Sequence, residues 1–474
     1  MQLSLVATIT LSLFSGLLID AALRLEGLGY LAWVALIPIL YLLEHLPKKR
    51  LAALAMAVSS LPMALWVYEG GFYEFGIWTS LGCSIFTVFY GLLGFYTVFI
   101  RQRFGINTMW LGFIAAWSGL MFLLMQPSLT QNMAHIGWAA MSASTEGTVL
   151  LGAATWSGAT GLGVLLWGIN LGVYQIVKIR LKPASLFWLM GVSAMLTISL
   201  GLAPRTQKTV FSSQMSIVQS PYSQADIVLT PFNSGMTANY FTRLQKLVKN
   251  ATGLLVFPEQ TLPSTYDLDK PMPVAIKAFF SSLPESIMGV VTTKQKQVFN
   301  TAQLWKNNSL KQVYVKQAPM PGGEDDLTAG NSSQPIQAAG LNWGMLICYE
   351  SIIPWVAREA VLSGAEALMV LTSDGFAGGA NTPEAHWRGS VVLATALGRS
   401  LVFASKTGPS AFSDSSGQIL AVTTRGASTV LEGTVQGSTG LTPYAQFGDW
   451  LGALGLLLTL ALNLMKPKYA NKVL

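Results

Sequence analysis

Apolar residues in this chain fall in long uncharged runs towards both ends and in short alternating runs between them. Stretches of roughly 18 residues or more, enough to cross a hydrocarbon core of about 30 Å, cover 3–23, 28–46, 51–69, 80–100, 107–125, 155–177, 185–203 and 447–465. They predict eight membrane-spanning helices, seven before and one after a polar stretch at 204–446. The first run has no Lys or Arg ahead of it and many others behind it, so it reads as an anchor rather than a cleaved leader.

Within 204–446 the pattern changes. Short β-branched runs predict strands over 215–219, 254–257, 287–293, 312–316, 344–348, 367–372, 401–404 and 429–435. Longer-period segments predict helices around 238–250, 272–282, 354–363 and 384–397, while Pro, Gly and Asn mark loops at 318–335 and 375–383. Strands alternating with helices make a layered α/β domain. The fold class expected is therefore α/β plus membrane α-helical. Its parts are seven helices over 1–203, a globular domain over 204–446, and a final helix and tail over 447–474.

Composition supports this division. Hydrophobic residues make up 51% and charged residues 11% of the chain, a balance that excludes an ordinary soluble enzyme. The basic residues are arranged by loop. Lys48, Lys49 and Arg50 follow the second run, Arg101 and Arg103 the fourth, Lys178, Arg180 and Lys182 the sixth, and Lys466, Lys468 and Lys472 the eighth. The intervening short loops hold only Arg24. Basic loops stay in the cytoplasm, so both termini are expected there and 204–446 on the other side. The net charge of +7 is topological on this reading, and no nucleic-acid partner is expected. Of the two cysteines, Cys83 lies mid-span and Cys348 in the polar stretch, which leaves Cys348 an unpaired thiol on the oxidising side.

Three short pieces sit where predicted strands run out into loops. They are VFPEQTLP with Glu259, VYVKQAPMPGGE with Lys316 and Glu324, and LICYESIIP with Cys348, Tyr349 and Glu350. Each alone is an ordinary feature: a solvated turn carboxylate, an edge charge, a core cysteine. Together they supply what acyl chemistry on a thiol needs. A thiol attacks as thiolate, and Glu259 can take its proton. Lys316 and the backbone N–H of Tyr349 can face the oxyanion of a tetrahedral intermediate, and Glu324 can keep Lys316 charged. A Cys–His pairing with His386 is the rival; that histidine falls in a predicted helix, where a hydrogen-bonded core role fits better. His45 and His135 lie at span ends.

Pro258-Glu259, Lys316 and Cys348-Tyr349-Glu350 resemble the Glu–Lys–Cys signatures of the nitrilase superfamily, and the membrane runs resemble its apolipoprotein N-acyltransferase branch. Pro321, Gly323 and Glu324 stand at that branch's spacing from the lysine. SDGFAGGANTPEAHW is similar to its Asn-Asp-x-Trp-Phe loop and downstream His, and TGLTPYAQFGDW to the segment leading into the last span. The resemblance implies a nitrilase-like αββα sandwich inserted before the last helix and a catalytic triad of Glu259, Lys316 and Cys348, with Glu324, Tyr349 and Glu350 in support. It also implies a monomeric multi-pass protein of the bacterial inner membrane with a periplasmic catalytic domain and no cofactor. The reaction implied is transfer of a fatty acyl chain from a phospholipid, through a thioester, to the amine of a lipoprotein acceptor. Three segments depart from the branch. SPYSQADIVLTPF replaces its Gly-Asn/Asp-Ile-Pro-Gln segment, Asp325 and Asp326 replace a Val-Pro-Leu run, and Gly375 follows Asp374. These departures point to a divergent member, such as a conjugal-transfer paralogue acting on another substrate.

Overall fold

A computed structural model of the chain describes residues 3–24, 28–75, 77–125, 149–179, 190, 191, 193, 208–219, 235–262, 265–321, 323–374 and 382–467. Contacts divide it into two compact units, Met1–Leu202 with Phe447–Leu474, and Ala203–Gln446.

In the first unit, four helical stretches among the described residues are long and apolar enough to cross a membrane: Leu5–Ala22, Ser80–Phe104, Ile106–Leu124 and Leu151–Lys178. A helix over Lys49–Phe75 holds the expected third run, and Gly29–His45 and Trp450–Leu464 are shorter apolar stretches. The run at 185–203 lies almost wholly outside the described residues. The run at 28–46 is not one continuous helix as expected but a 3-10 turn over Gly29–Trp33 followed by a helix over Ile37–His45. Pro38 is the reason. It lacks an N–H and suits only a helix's first turn, so a new helix starts there. Asn170 covers the break, accepting from the N–H of Leu36 at 2.9 Å and donating to the carbonyl of Ala32 at 2.9 Å. Lipid gives helices no hydrophobic reason to associate, and close backbone approach takes that role. A Cβ on Gly119 would stand 2.7 Å from Leu456 Cα, and one on Gly455 would stand 2.8 Å from the carbonyl of Ala115.

The second unit is two sheets face to face. The first has the order β13-β1-β2-β4-β5-β6, with β3 beside β4; the second has β12-β11-β10-β9-β8-β7. In chain order the strands are β1 (Lys208–Gln219), β2 (Leu254–Phe257), β3 (Tyr266–Asp267), β4 (Ser286–Lys294), β5 (Gln297–Lys306), β6 (Ser309–Val315) and β7 (Ile336–Ala338). Then follow β8 (Leu341–Ile347), β9 (Ala367–Thr372), β10 (Ser400–Ser405), β11 (Ala411–Ser413), β12 (Ile419–Val422) and β13 (Thr429–Thr439). Ile217, Val256, Ile287, Leu304 and Tyr314 from one sheet meet Trp343, Ile347, Met369, Val402 and Phe412 from the other in a shared core. The outer face of the first sheet, with Leu255, Phe257 and Met288, is covered by helices Gly235–Leu247 and Val274–Ser281 through Phe241, Leu244, Ile276 and Phe279. Helices Pro354–Leu362 and Thr382–Leu397 pack on β8 and β10 of the second sheet. The layers are therefore αββα, a nitrilase-like fold. The loop expected at 375–383 lies mostly outside the described residues, and Pro383 occupies the first turn of the helix that begins at Thr382.

β5 has no counterpart among the expected strands. It is bounded by two-residue turns, Gln295-Lys296 and Asn307-Asn308, whose four residues all have φ between 50° and 65°. Left-handed φ at both central positions matches the twist of a hairpin, and asparagine tolerates it. Gln-Lys carries no such signal, which is why the strand between is hard to see in the sequence.

Candidate active site

Residues that alternate inward along each strand form the inter-sheet core, as Ala302 on β5, Tyr314 on β6, Ile347 on β8 and Ala404 on β10 do. Continuing that period of two places Asn300, Lys316 and Lys406 in the same layer. Cys348 follows Ile347 directly and joins the core cluster. The mutually parallel strands β8, β9 and β10 of one sheet and β2 of the other end on the same side, where Lys406 Nζ reaches the carbonyl oxygen of Gln260, so Glu259, Cys348, Asp374 and Lys406 come together although the chain separates them.

Glu259 is buried after Pro258 at the end of β2. The side-chain amide of Asn300 donates to its Oε1 at 2.7 Å. Gly289 on the neighbouring β4 allows this approach, because a Cβ there would stand 2.5 Å from both Glu259 Cα and the carbonyl oxygen of Pro258. Lys316, also buried, lies with Nζ 3.8 Å from Glu259 Oε1 and donates to Glu324 Oε1 at 2.7 Å. Glu324 in turn accepts from the N–H of Met320 at 2.7 Å, which folds the loop after Lys316 back over the lysine.

Cys348 opens a 3-10 turn over Cys348–Ile352 with φ of +51°, in the left-handed region that side chains seldom occupy. Glu350 holds that turn. Its Oε2 accepts from the N–H of Ile347 at 2.7 Å and from the Tyr314 hydroxyl at 2.9 Å, while Oε1 accepts from the N–H groups of Gln317 at 2.6 Å and Ala318 at 3.0 Å. One carboxyl thus ties the cysteine turn of one sheet to the lysine loop of the other. Glu350 is therefore a positioning group. Tyr349 is buried beside it.

Burial pushes the Cys348 thiol well above its ordinary range; Glu259 raises it further and Lys316 opposes. Burial also raises Glu259, against the pull of Lys316. For Lys316, burial favours the neutral amine, but Glu259, Cys348 and Glu324 outweigh it and hold the ammonium above its usual range. Burial thus disfavours the ionised forms of both Cys348 and Glu259, while the carboxyls and the thiol around Lys316 favour its ammonium.

His386 does not address the sulfur. Its Nδ1 faces Asp374 Oδ1 at 2.8 Å, and its Nε2 faces Ser351 Oγ at 2.8 Å and the carbonyl oxygen of Cys348 at 3.2 Å. Burial lowers its pKa, but Asp374 outweighs that and holds it above the ordinary value. Asn300, Tyr314 and Lys406 have no place among the residues expected from the sequence, and Asp374 enters there only within the SDGFAGG motif. Asn300 lies on the strand the sequence conceals. Lys406 was accessible to the period of two through Val402 and Ala404.

Residues 236–444 match the carbon–nitrogen hydrolase family. The chain is 25% identical to the apolipoprotein N-acyltransferase of Haemophilus influenzae, with 97% of this chain and 95% of that one covered. It is 26% identical to the apolipoprotein N-acyltransferase of Nitrosomonas europaea, with 79% of each covered. Among solved structures it is similar to a carbon–nitrogen hydrolase from Helicobacter pylori, at 20% identity and a TM-score of 0.37, covering 51% of this chain and 94% of that one.

Proposed function

We propose that the chain is an apolipoprotein N-acyltransferase of the nitrilase superfamily, which moves a fatty acyl chain from a phospholipid to the N-terminal amine of S-diacylglyceryl-cysteine lipoproteins; the carbon–nitrogen hydrolase match and the full-length similarity to such enzymes support this reading. Cys348 gives its proton to Glu259 and its sulfur attacks the ester carbonyl. Lys316 and the N–H of Tyr349 face the oxyanion that develops. Collapse returns the proton from Glu259 to the departing alcohol, leaving a lysophospholipid and a Cys348 thioester. The acceptor amine then attacks the thioester and loses its proton to Glu259; an amide forms, and Cys348 leaves as thiolate to take that proton back. What carries this reading is the placing of Glu259 Oε1 3.8 Å from Lys316 Nζ, with both charges acting on the Cys348 thiol.

Eight spans with cytoplasmic termini and a periplasmic catalytic domain complete the proposal, supported by the basic loops. A second reading, a membrane-anchored enzyme of the same mechanism acting on a different amine, is favoured by Asp325 and Asp326 in the loop after Lys316. Mass spectrometry of the purified protein with phosphatidylethanolamine tests the first half-reaction. An acyl adduct on Cys348 is expected in the wild type and absent from Cys348→Ala; an unmodified wild-type thiol sinks both readings. Complementation of a lipoprotein N-acylation mutant then separates the acceptors.

Gly289→Ala tests the placing of Glu259. The added methyl displaces the turn that carries the base, and a shift near 1 Å costs about 10²-fold in rate. The expected result is adduct formation slowed by about that factor, together with a lowered thermal midpoint in detergent, because overpacking against backbone costs about 1–3 kcal/mol.

A further inference from the structure

A second lysine is buried at the same end of the sandwich and has no part in the mechanism above. Lys406 follows the last residue of β10 and is 0% exposed. Its Nζ donates to the carbonyl oxygen of Gln260 at 2.9 Å. Gln260 follows Glu259 directly and has φ of +50°, so the turn that aims the carboxylate is left-handed and needs holding. An ammonium is a costly means of satisfying one carbonyl. Burying the charge is expensive, and a neutral donor would serve as well. We infer that Lys406 is a positioning residue of the reaction, whose hydrogen bond pins the Glu259–Gln260 turn and whose positive charge lets Glu259 act as a base at lower pH.

The groups around Lys406 are consistent with that role. Glu259 is the charge that acts on it directly. Asp374, at the end of the adjacent β9, accepts from Ser405 Oγ at 2.9 Å and faces His386 Nδ1 at 2.8 Å, and its charge raises Glu259, the opposite of what a cation does there. Lys316 and Glu324 act on Glu259, and Glu259 acts on Cys348. Arg425 is exposed, on the segment where the N–H of Gly426 donates to the carbonyl of Thr407. Burial holds Lys406 down to about 8, so its charge is present at neutral pH and leaves in mild alkali.

The inference rests on Glu259 as the base, so the test uses a readout independent of any acyl substrate. The full-length protein in detergent is treated with iodoacetamide between pH 5 and pH 10, and alkylation of Cys348 is followed by mass spectrometry. Lys406→Met keeps the length of the side chain and removes both charge and donor; Lys406→Gln removes the charge and keeps a donor. Losing a cation near a carboxylate raises its pKa by about 1 unit, so the alkylation midpoint is expected to rise by about 1 pH unit in both variants and to converge with wild type above about pH 8. A midpoint unmoved in whichever variant folds, or moved in Lys406→Met alone, overturns the role of the charge. A wild-type Cys348 that stays unalkylated across the range overturns the reading of the site itself, and the inference falls with it.

Discussion

Glu259→Gln slows formation of the Cys348 thioester by about 10²–10⁴-fold, the usual range for removing a positioned general base. The amide keeps an oxygen for the side chain of Asn300, which donates to Glu259 at 2.7 Å, so the turn stays in place. On the proposed mechanism, what is lost is the acceptor for the thiol proton. The variant's pH profile should differ in shape as well as height. Glu259 is one of the charges that raise the thiol, so its removal eases direct ionisation of Cys348. Residual activity should then climb steadily with pH towards the alkaline range. Single-turnover thioester formation between pH 6 and pH 9 checks both. A variant rate within a few-fold of wild type would assign the base elsewhere.

Glu350→Ala has the other large effect, on the fold rather than the chemistry. It strands the N–H groups of Ile347, Gln317 and Ala318 and the hydroxyl of Tyr314 in the space between the sheets. Each buried group left unmade costs about 1–3 kcal/mol, so the three N–H groups alone total about 3–9 kcal/mol, a large share of the 5–15 kcal/mol that holds a typical domain. Release of the buried carboxyl offsets part of this, which favours the lower end. The expected result is a thermal midpoint lowered by about 10 °C or more, with Cys348 unreactive even where the protein remains folded. A midpoint within about 2 °C of wild type would show that other contacts hold the cysteine turn.

The same carboxyl gives a pH dependence of known sign. Burial pushes Glu350 up to about 7, against Lys316 and the three backbone N–H groups, from its ordinary 4.5. Between those two values the folded chain holds a proton that the unfolded chain has released. Stability from this group is therefore complete below about 4.5 and is lost as pH rises through about 7, by roughly 3 kcal/mol over the window. Glu350→Gln should flatten thermal midpoints across pH 4.5 to 7, whereas a wild-type midpoint that rises over that interval would refute the sign.

The chain's own order of residues determined a good deal. Long uncharged runs specify helices fit for lipid because an unpaired backbone in hydrocarbon is prohibitive, and that constraint is written in local composition. The strands at 254–257, 367–372 and 401–404 and the helices flanking them follow from periods of two and of about 3.6, which are also local. Glu259, Lys316 and Cys348 could be picked out because each stands where such a strand ends. Other features belong to the tertiary structure alone. Whether Pro38 sits inside a helix or starts one depends on Asn170, far along the chain, being present to satisfy the broken backbone. β5 is defined by its partners β4 and β6, not by any turn signal at Gln295-Lys296. Glu350 looks like a turn residue until its four donors, drawn from β6 and the loop behind it as well as from its own turn, are seen together. Lys406 and Asn300 likewise acquire meaning only through Gln260 and Glu259, because a buried charge is defined by what surrounds it, and sequence separation says nothing about that.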